Sequence, residues 1–329
     1  MLPMDEVDFR ADGQPSLTGA PTHGFGHCTC GAPAASGSTA SLAGRPTSRR
    51  LFTRLLGAAG GLALVPAWAR EGVDVGKESW ATRLVSAEQV ETAGQQQYAA
   101  MMKEAQQKRV LAPTNDPQVQ RLRFIAQRII PLTGTWNRRA DQWRWEVNLL
   151  MTAEVNAFCM PGGKIAFYDG ILRKLQLNDD EVAMVMGHEI AHALREHARE
   201  RMGKSAATNI GADLLSSVLG FGDVGRTFMG IGGQLLKLRF SREDESEADL
   251  VGMELAARAG YNPEAGISLW QKMAKASEGA PPQFISTHPS GPTRIEDMRR
   301  NLPKVAGLYQ RADKPSQRFS PPAASAQNR

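Results

Sequence analysis

Cysteine is nearly absent from this sequence, with three in 329 residues, and two of them, Cys28 and Cys30, stand close to the start. Cys159 alone lies in the body of the chain, and a lone cysteine closes no internal disulfide, so an apolar core has to hold the fold. Cys28 and Cys30 follow His23 and His27, which on paper is half a metal site. The residues around them are rich in Gly, Pro, Ser and Thr and read as a leader that does not fold. Charge of one sign is also scarce: the net +5 is a small surplus for this length, and aromatics make up only 6%. No stripe of basic residues interleaves with aromatic ones, which argues against a nucleic-acid partner. No apolar run reaches the roughly 20 residues that a membrane-spanning helix needs. No repeat of about 20–50 residues recurs, so an attached helical-repeat array is excluded.

What is present begins with an address. Ser48-Arg49-Arg50-Leu51-Phe52-Thr53-Arg54 resembles the twin-arginine export signal, and an apolar run from Leu55 to Val65 follows, broken by Gly57, Gly60 and Gly61. Ala67-Trp68-Ala69 then offers a small-x-small cleavage site. The expectation is an N-terminal extension and signal peptide over 1–69, export to a bacterial periplasm, and cleavage near Ala69. No Cys follows the apolar run, so a lipid anchor is not supported. The stretch before Arg49 is longer than export requires, which leaves initiation further in open.

Residues 70–311 read as one domain, with helices over 86–130 and a catalytic core over 140–303. Helical spacing marks Val90, Tyr98, Met101 and Met102, then Val119, Leu122 and Ile125 after the break at Pro113 and Pro117. Trp143–Met151 and Asn156–Tyr168 read as strands, the second with a turn at Pro161-Gly162-Gly163. Asp179 and Asp180 offer a helix start, and the apolar residues that follow predict one helix from about Glu181 to Met202. Further helices are expected over Ser241–Ala259 and from Tyr261-Asn262-Pro263 to about Ala276. The Gly-rich stretch 203–237 reads either as two short packed helices or as a lid or membrane-touching flap beside the site. Its Asp213, Asp223 and Arg226 exclude a membrane span. Residues 312–329, rich in Pro, Ser, Ala and Gln, read as a disordered tail.

The chemistry sits in His188-Glu189-Ile190-Ala191-His192. Residues four apart on a helix share a face, so both imidazoles can reach one ion, with Glu189 beside them to take a proton from water. A catalytic zinc needs three protein ligands and one open position, so a third ligand must come from elsewhere. Ser241-Arg242-Glu243-Asp244-Glu245-Ser246-Glu247-Ala248-Asp249 is the best source. Glu245 and Asp249 share a face there, one suited to bind metal and the other to orient a ligating histidine. Glu243 and Glu247 point the other way and read as solvated charge, although spacing alone leaves Glu247 open as the third ligand. His197 falls off the ligand face of a continuous helix and reads as a surface or supporting residue.

His188-Glu-x-x-His192 followed by Ser241-Arg-x-x-Glu245-x-x-x-Asp249 resembles the Ste/HtpX/Oma family of zinc metallopeptidases, metallopeptidase family 48. Asn156-Ala-Phe-Cys-Met-Pro-Gly-Gly163 and Thr287-His288-Pro289 extend the likeness over roughly Asn156–Pro303. The resemblance implies an α+β, zincin-like fold, mostly helical, with a small mixed β-sheet above the metal helix. It also implies one zinc per chain, Glu245 as third ligand and Glu189 as general base. His288 then belongs in the cleft, either stabilising the oxyanion or capping the open zinc position. Many members of that family span membranes several times and this chain does not, so the nearer likeness is to a soluble, exported bacterial branch tied to outer-membrane protein quality control. The implied activity is a metalloendopeptidase acting on unfolded or misassembled envelope proteins, with peripheral membrane contact through 203–237 in prospect. A periplasmic chaperone or adaptor with a latent or structural zinc is the alternative.

Overall fold

The computed structural model describes residues 71–207, 238–277, 282–288 and 292–323. The expected signal peptide, Cys28 and Cys30, and most of the expected lid (208–237) lie outside the described residues. Helix α1 (Ala87–Gln107) opens on Ser86, whose hydroxyl accepts from the Gln89 N–H, and α2 (Pro117–Ile129) opens on Asp116 with proline in its first turn. Both starts satisfy backbone N–H groups that a helix leaves free.

Three short strands follow: β1 (Glu146–Leu150), β2 (Ala157–Met160) and β3 (Lys164–Tyr168). Their order is β1-β3-β2, with β1 parallel and β2 antiparallel to β3. All five residues of the central β3 are buried. The turn into it needs glycine: Gly162 and Gly163 have φ of +86° and +79°, and a Cβ on Gly163 would lie 2.8 Å from the Trp145 ring. The order leaves β2 on the edge of the sheet, packed along the helix that carries the two histidines.

Helix α3 (Asp169–Leu175) leads to that helix, α4 (Asp179–Leu194), which is buried on every face from Glu181 to Leu194. Its cap is Asn178 rather than the expected aspartates: Asn178 and Glu181 bond reciprocally to each other's backbone N–H. Asp179 instead forms a buried ion pair with Arg121, Oδ1 to Nε 2.6 Å, which ties α2 to the start of α4. The single helix expected to reach Met202 is two. Glu196 has a φ of +56°, and α5 (His197–Ala207) begins after it. A left-handed residue cannot continue a right-handed helix, and the side chain of Arg195 is drawn sideways to Glu247 and to the Gly76 carbonyl.

Helices α6 (Arg242–Arg258), α7 (Ala265–Ala276), α8 (Gln283–Thr287) and α9 (Pro292–Arg311) complete the described elements. Residues 312–323, expected as disordered tail, run as an extended strap over the start of α4. Arg318 pairs with Asp180, the Phe319 N–H donates to Asp179, and the Phe319 ring packs on Phe124. Composition marked the segment as unable to form its own core, but it uses the core already there. Among the described residues no helix is long and apolar enough to cross a membrane.

Helices α4 and α6 cross with their backbones in close approach at Gly187 and Gly252. A Cβ on Gly252 would stand 2.6 Å from the His188 backbone nitrogen, and one on Gly187 2.7 Å from the Gly252 carbonyl oxygen. Both obstacles are backbone, so Gly252→Ala must part the helices. Overpacking of this kind costs about 1–3 kcal/mol, so Tm should drop by several degrees and zinc affinity with it. A variant with unchanged Tm and unchanged metal affinity would contradict this account.

Candidate metal centre

Helix α4 sets His188 and His192 one turn apart, and their Nε2 atoms are 3.1 Å from each other. Across the crossing, α6 brings the Glu245 carboxylate to both, Oε2 3.5 Å from His188 Nε2 and Oε1 3.5 Å from His192 Nε2. The residue after α8, His288, comes in from a third side. Its Nδ1 lies 3.2 Å from His188 Nε2 and 3.0 Å from Glu245 Oε1. All four residues are buried, and one donor atom from each lies within 4.8 Å of the others.

These spacings fit a metal better than they fit a hydrogen-bonded cluster. Four donors around one zinc at about 2.0–2.1 Å stand roughly 3.3 Å from one another when tetrahedral. The observed separations bracket that edge. Three imidazole nitrogens facing one point also cannot all be satisfied by each other, since every hydrogen bond there needs a donor. Burial, reinforced by the surrounding His188, His197, His288 and Arg294, pushes the His192 pKa well below its ordinary value, which favours the neutral ring that a metal ligand requires.

Glu189 lies beside the cluster without joining it. Its Oε1 is buried with no hydrogen-bond partner, and the nearest charged group, His288 Nε2, is 3.7 Å away. Burial raises its pKa above the ordinary carboxylate range, against the pull of His288 and His188. A buried carboxylate with a raised pKa and one oxygen free of hydrogen bonds is suited to exchange protons with a small ligand.

Behind the ligands sits a layer of support. Asp249, one turn after Glu245, places Oδ1 3.0 Å from His188 Nδ1. Arg294, near the start of α9, grips Asp249 through Nε and Nη2 at 2.6 and 2.7 Å and reaches Glu245 Oε2 through Nη1 at 2.7 Å. Its guanidinium also stacks 3.5 Å above the Trp270 ring. Burial opposes ionisation of both carboxylates. At Glu245 it is outweighed by His288, Arg294 and His188 together, and at Asp249 by Arg294 and His188 together, so both pKa values lie below normal. Arg294 was not singled out by sequence reading, because an isolated arginine in an Arg-rich C-terminal helix carries no spacing signal. Glu243 is exposed as expected. Glu247 is not plain solvated charge: it pairs with Arg195 and lies within reach of His197.

A cleft of about 760 Å³ opens on the cluster, lined among others by Glu189, His192 and His288 on one side and by Cys159 and Met160 of β2 on the other. Phe240 stacks on the His192 ring at 4.0 Å and Phe284 on the His288 ring at 4.5 Å, which keeps the floor apolar.

Residues 117–302 match the family model described as Peptidase family M48. The chain is 30% identical over 234 residues to the mitochondrial metalloendopeptidase OMA1 of Saccharomyces cerevisiae, covering 68% of this chain and 66% of the yeast protein. To the metalloprotease LoiP of Escherichia coli it is 28% identical over 229 residues, 69% of this chain and 86% of that protein. To the beta-barrel assembly-enhancing protease of Yersinia pestis it is 29% identical over 161 residues, 46% of this chain and 33% of that one. The chain spans 66%, 30% and 56% of the length of the OMA1 proteins of budding yeast, Arabidopsis thaliana and Schizosaccharomyces pombe.

Proposed function

This chain belongs to peptidase family M48, and from that premise we propose that it is a zinc-dependent endopeptidase cutting unfolded or misassembled proteins of the bacterial envelope. The observation that carries the reading is the meeting of His188 Nε2, His192 Nε2 and the Glu245 carboxylate, with Glu189 Oε1 buried and free of hydrogen bonds beside them. When bound, zinc supplies a Lewis acid that makes water acidic enough to lose a proton near neutral pH. Glu189 is the group that takes that proton and delivers it to the leaving amine. Asp249 accepts from His188 Nδ1–H and so fixes the ring with Nε2 facing the metal. Strand β2 lies on the sheet edge at the cleft, where an extended chain can add by backbone pairing, a mode with little demand on side-chain identity. That suits exposed segments of many sequences.

The periplasm is the proposed location, on the strength of Arg49-Arg50, the apolar run and Ala67-Trp68-Ala69. Outer-membrane proteins are the proposed substrates, in keeping with the Yersinia relative's being a beta-barrel assembly-enhancing protease. His288 is proposed as a removable cap, because its Nδ1 stands beside His188 Nε2 and Glu245 Oε1, where it would compete with water and substrate for a bound metal.

The test is cleavage of an unfolded outer-membrane barrel protein by the zinc-loaded chain. Unfolded substrate should be cut, its folded form spared, and a chelator should abolish cutting until zinc is restored. His288→Ala should keep zinc and cut faster if the residue is a cap. Slower cutting with zinc retained would assign it to oxyanion stabilisation instead. Cutting that survives full metal removal would end the proposal.

A further inference from the structure

The break between α4 and α5 does more than end a helix. On one continuous helix, residues five apart stand about 140° apart around the axis and cannot meet. The left-handed Glu196 folds the chain back, and His197 Nδ1 arrives 2.9 Å from His192 Nδ1. On its far side His197 Nε2 lies 3.4 Å from Glu247 Oε2, and Glu247 is held by Arg195 Nε at 2.9 Å. His197 and His192 are both buried, so water is kept from the contact between the two rings, while Glu247 is half-buried.

We propose that His197 is the positioning residue for the ligand His192, accepting the proton of His192 Nδ1 and passing the constraint to Glu247 and Arg195. The inference rests on the zinc reading above. A His192 that gives Nε2 to the metal keeps its proton on Nδ1, and that N–H needs an acceptor in a buried site. The atom available at hydrogen-bond distance is His197 Nδ1, which accepts only when its own proton is on Nε2. Glu247 beside Nε2 selects that tautomer. The two ligand rings are thus supported alike: Asp249 backed by Arg294 behind His188, and His197 backed by Glu247 and Arg195 behind His192. A ring stands where a carboxylate is the commoner partner, and the helix break puts it there.

Two substitutions separate this from mere packing. His197→Phe keeps the ring's volume and removes the acceptor, while His197→Asn loses volume and keeps an oxygen near the place of Nδ1. Zinc affinity, read by chelator competition, should fall about 10–100-fold in His197→Phe and be largely rescued in His197→Asn. Equal losses in both variants, or a His197→Phe protein that binds zinc as well as wild type, would overturn the proposal. If His197→Phe does not fold, Glu247→Ala replaces it, at a half-buried site. It should weaken zinc several-fold and shift the visible spectrum of the cobalt-substituted protein, and wild-type values in both readouts would overturn the proposal equally. Wild-type protein and His188→Ala run alongside. If wild type itself holds no zinc, the metal reading has failed. If it holds zinc and the His197 variants are indifferent, only the present inference has.

Discussion

Glu189→Gln should leave zinc bound and lower peptide-bond cleavage by about 10²–10⁴-fold, the usual contribution of a positioned acid–base group. The substitution is nearly isosteric, so it tests charge and proton capacity with little change in shape. Glu189 Oε1 has no hydrogen-bond partner to lose, and the carboxylate is not one of the four grouped donors. Zinc stoichiometry should therefore stay at the wild-type value, as should Tm within a degree or two. Only a group whose work is proton transfer gives that pattern of intact metal and absent turnover. Single-turnover cleavage of an unfolded substrate, beside metal analysis of the same sample, measures both. Activity within a few-fold of wild type would remove Glu189 from the mechanism. An exported Glu189→Gln protein that still supported its cellular role would favour the chaperone reading over the peptidase one.

How much of this was legible in the sequence follows from the range of each interaction. His188, Glu189 and His192 lie on one helical turn, so spacing alone puts them together. Glu245 and Asp249 could be paired with each other by the same rule, but their meeting with α4 depends on Gly187 and Gly252 letting two backbones touch. No spacing rule shows that contact, and resemblance was needed to choose Glu245 over Glu247. The antiparallel pairing of β2 and β3 was foreseeable because Pro161-Gly162-Gly163 sits between two β-rich runs, whereas the parallel pairing of β1 with β3 has no such local signal. The helix break was not. Glu196 is an ordinary helix former whose φ of +56° is imposed by tertiary contacts of its neighbour Arg195. On one straight helix His197 falls off the ligand face, and only the break at Glu196 returns it to His192. The strap 312–323 was misjudged because composition reports what a segment can build alone, whereas this one docks on charges of α4.

Arg294→Leu should have the largest effect on stability of any single substitution at the site. Arg294 is 4% exposed, and the two carboxylates it serves are 0% exposed at Glu245 and 3% at Asp249. Removing the cation leaves Asp249 buried without its strongest counter-charge and Glu245 without one of its counter-charges, a situation that costs about 3–5 kcal/mol. For a domain of this size that is a Tm lower by about 10 °C or more. The metal-free protein should show the full deficit, because zinc, where present, offsets part of the charge at Glu245. The gap between wild type and variant should thus narrow when zinc is added. It should also depend on pH. Both carboxylates have depressed pKa values in the folded wild type, so their stabilisation is present above the unfolded values near about 4 and lost as pH falls through the folded ones. The deficit of the variant is therefore greatest at neutral pH and shrinks on acidification. Arg294→Lys should fall between the two, since an ammonium keeps the charge but cannot span Asp249 and Glu245 with one planar fork. Thermal unfolding of apo and zinc-loaded protein at neutral and acidic pH reads every part of this. An apo Arg294→Leu protein melting within about 2 °C of wild type at neutral pH would mean that the carboxylates are held by something other than Arg294.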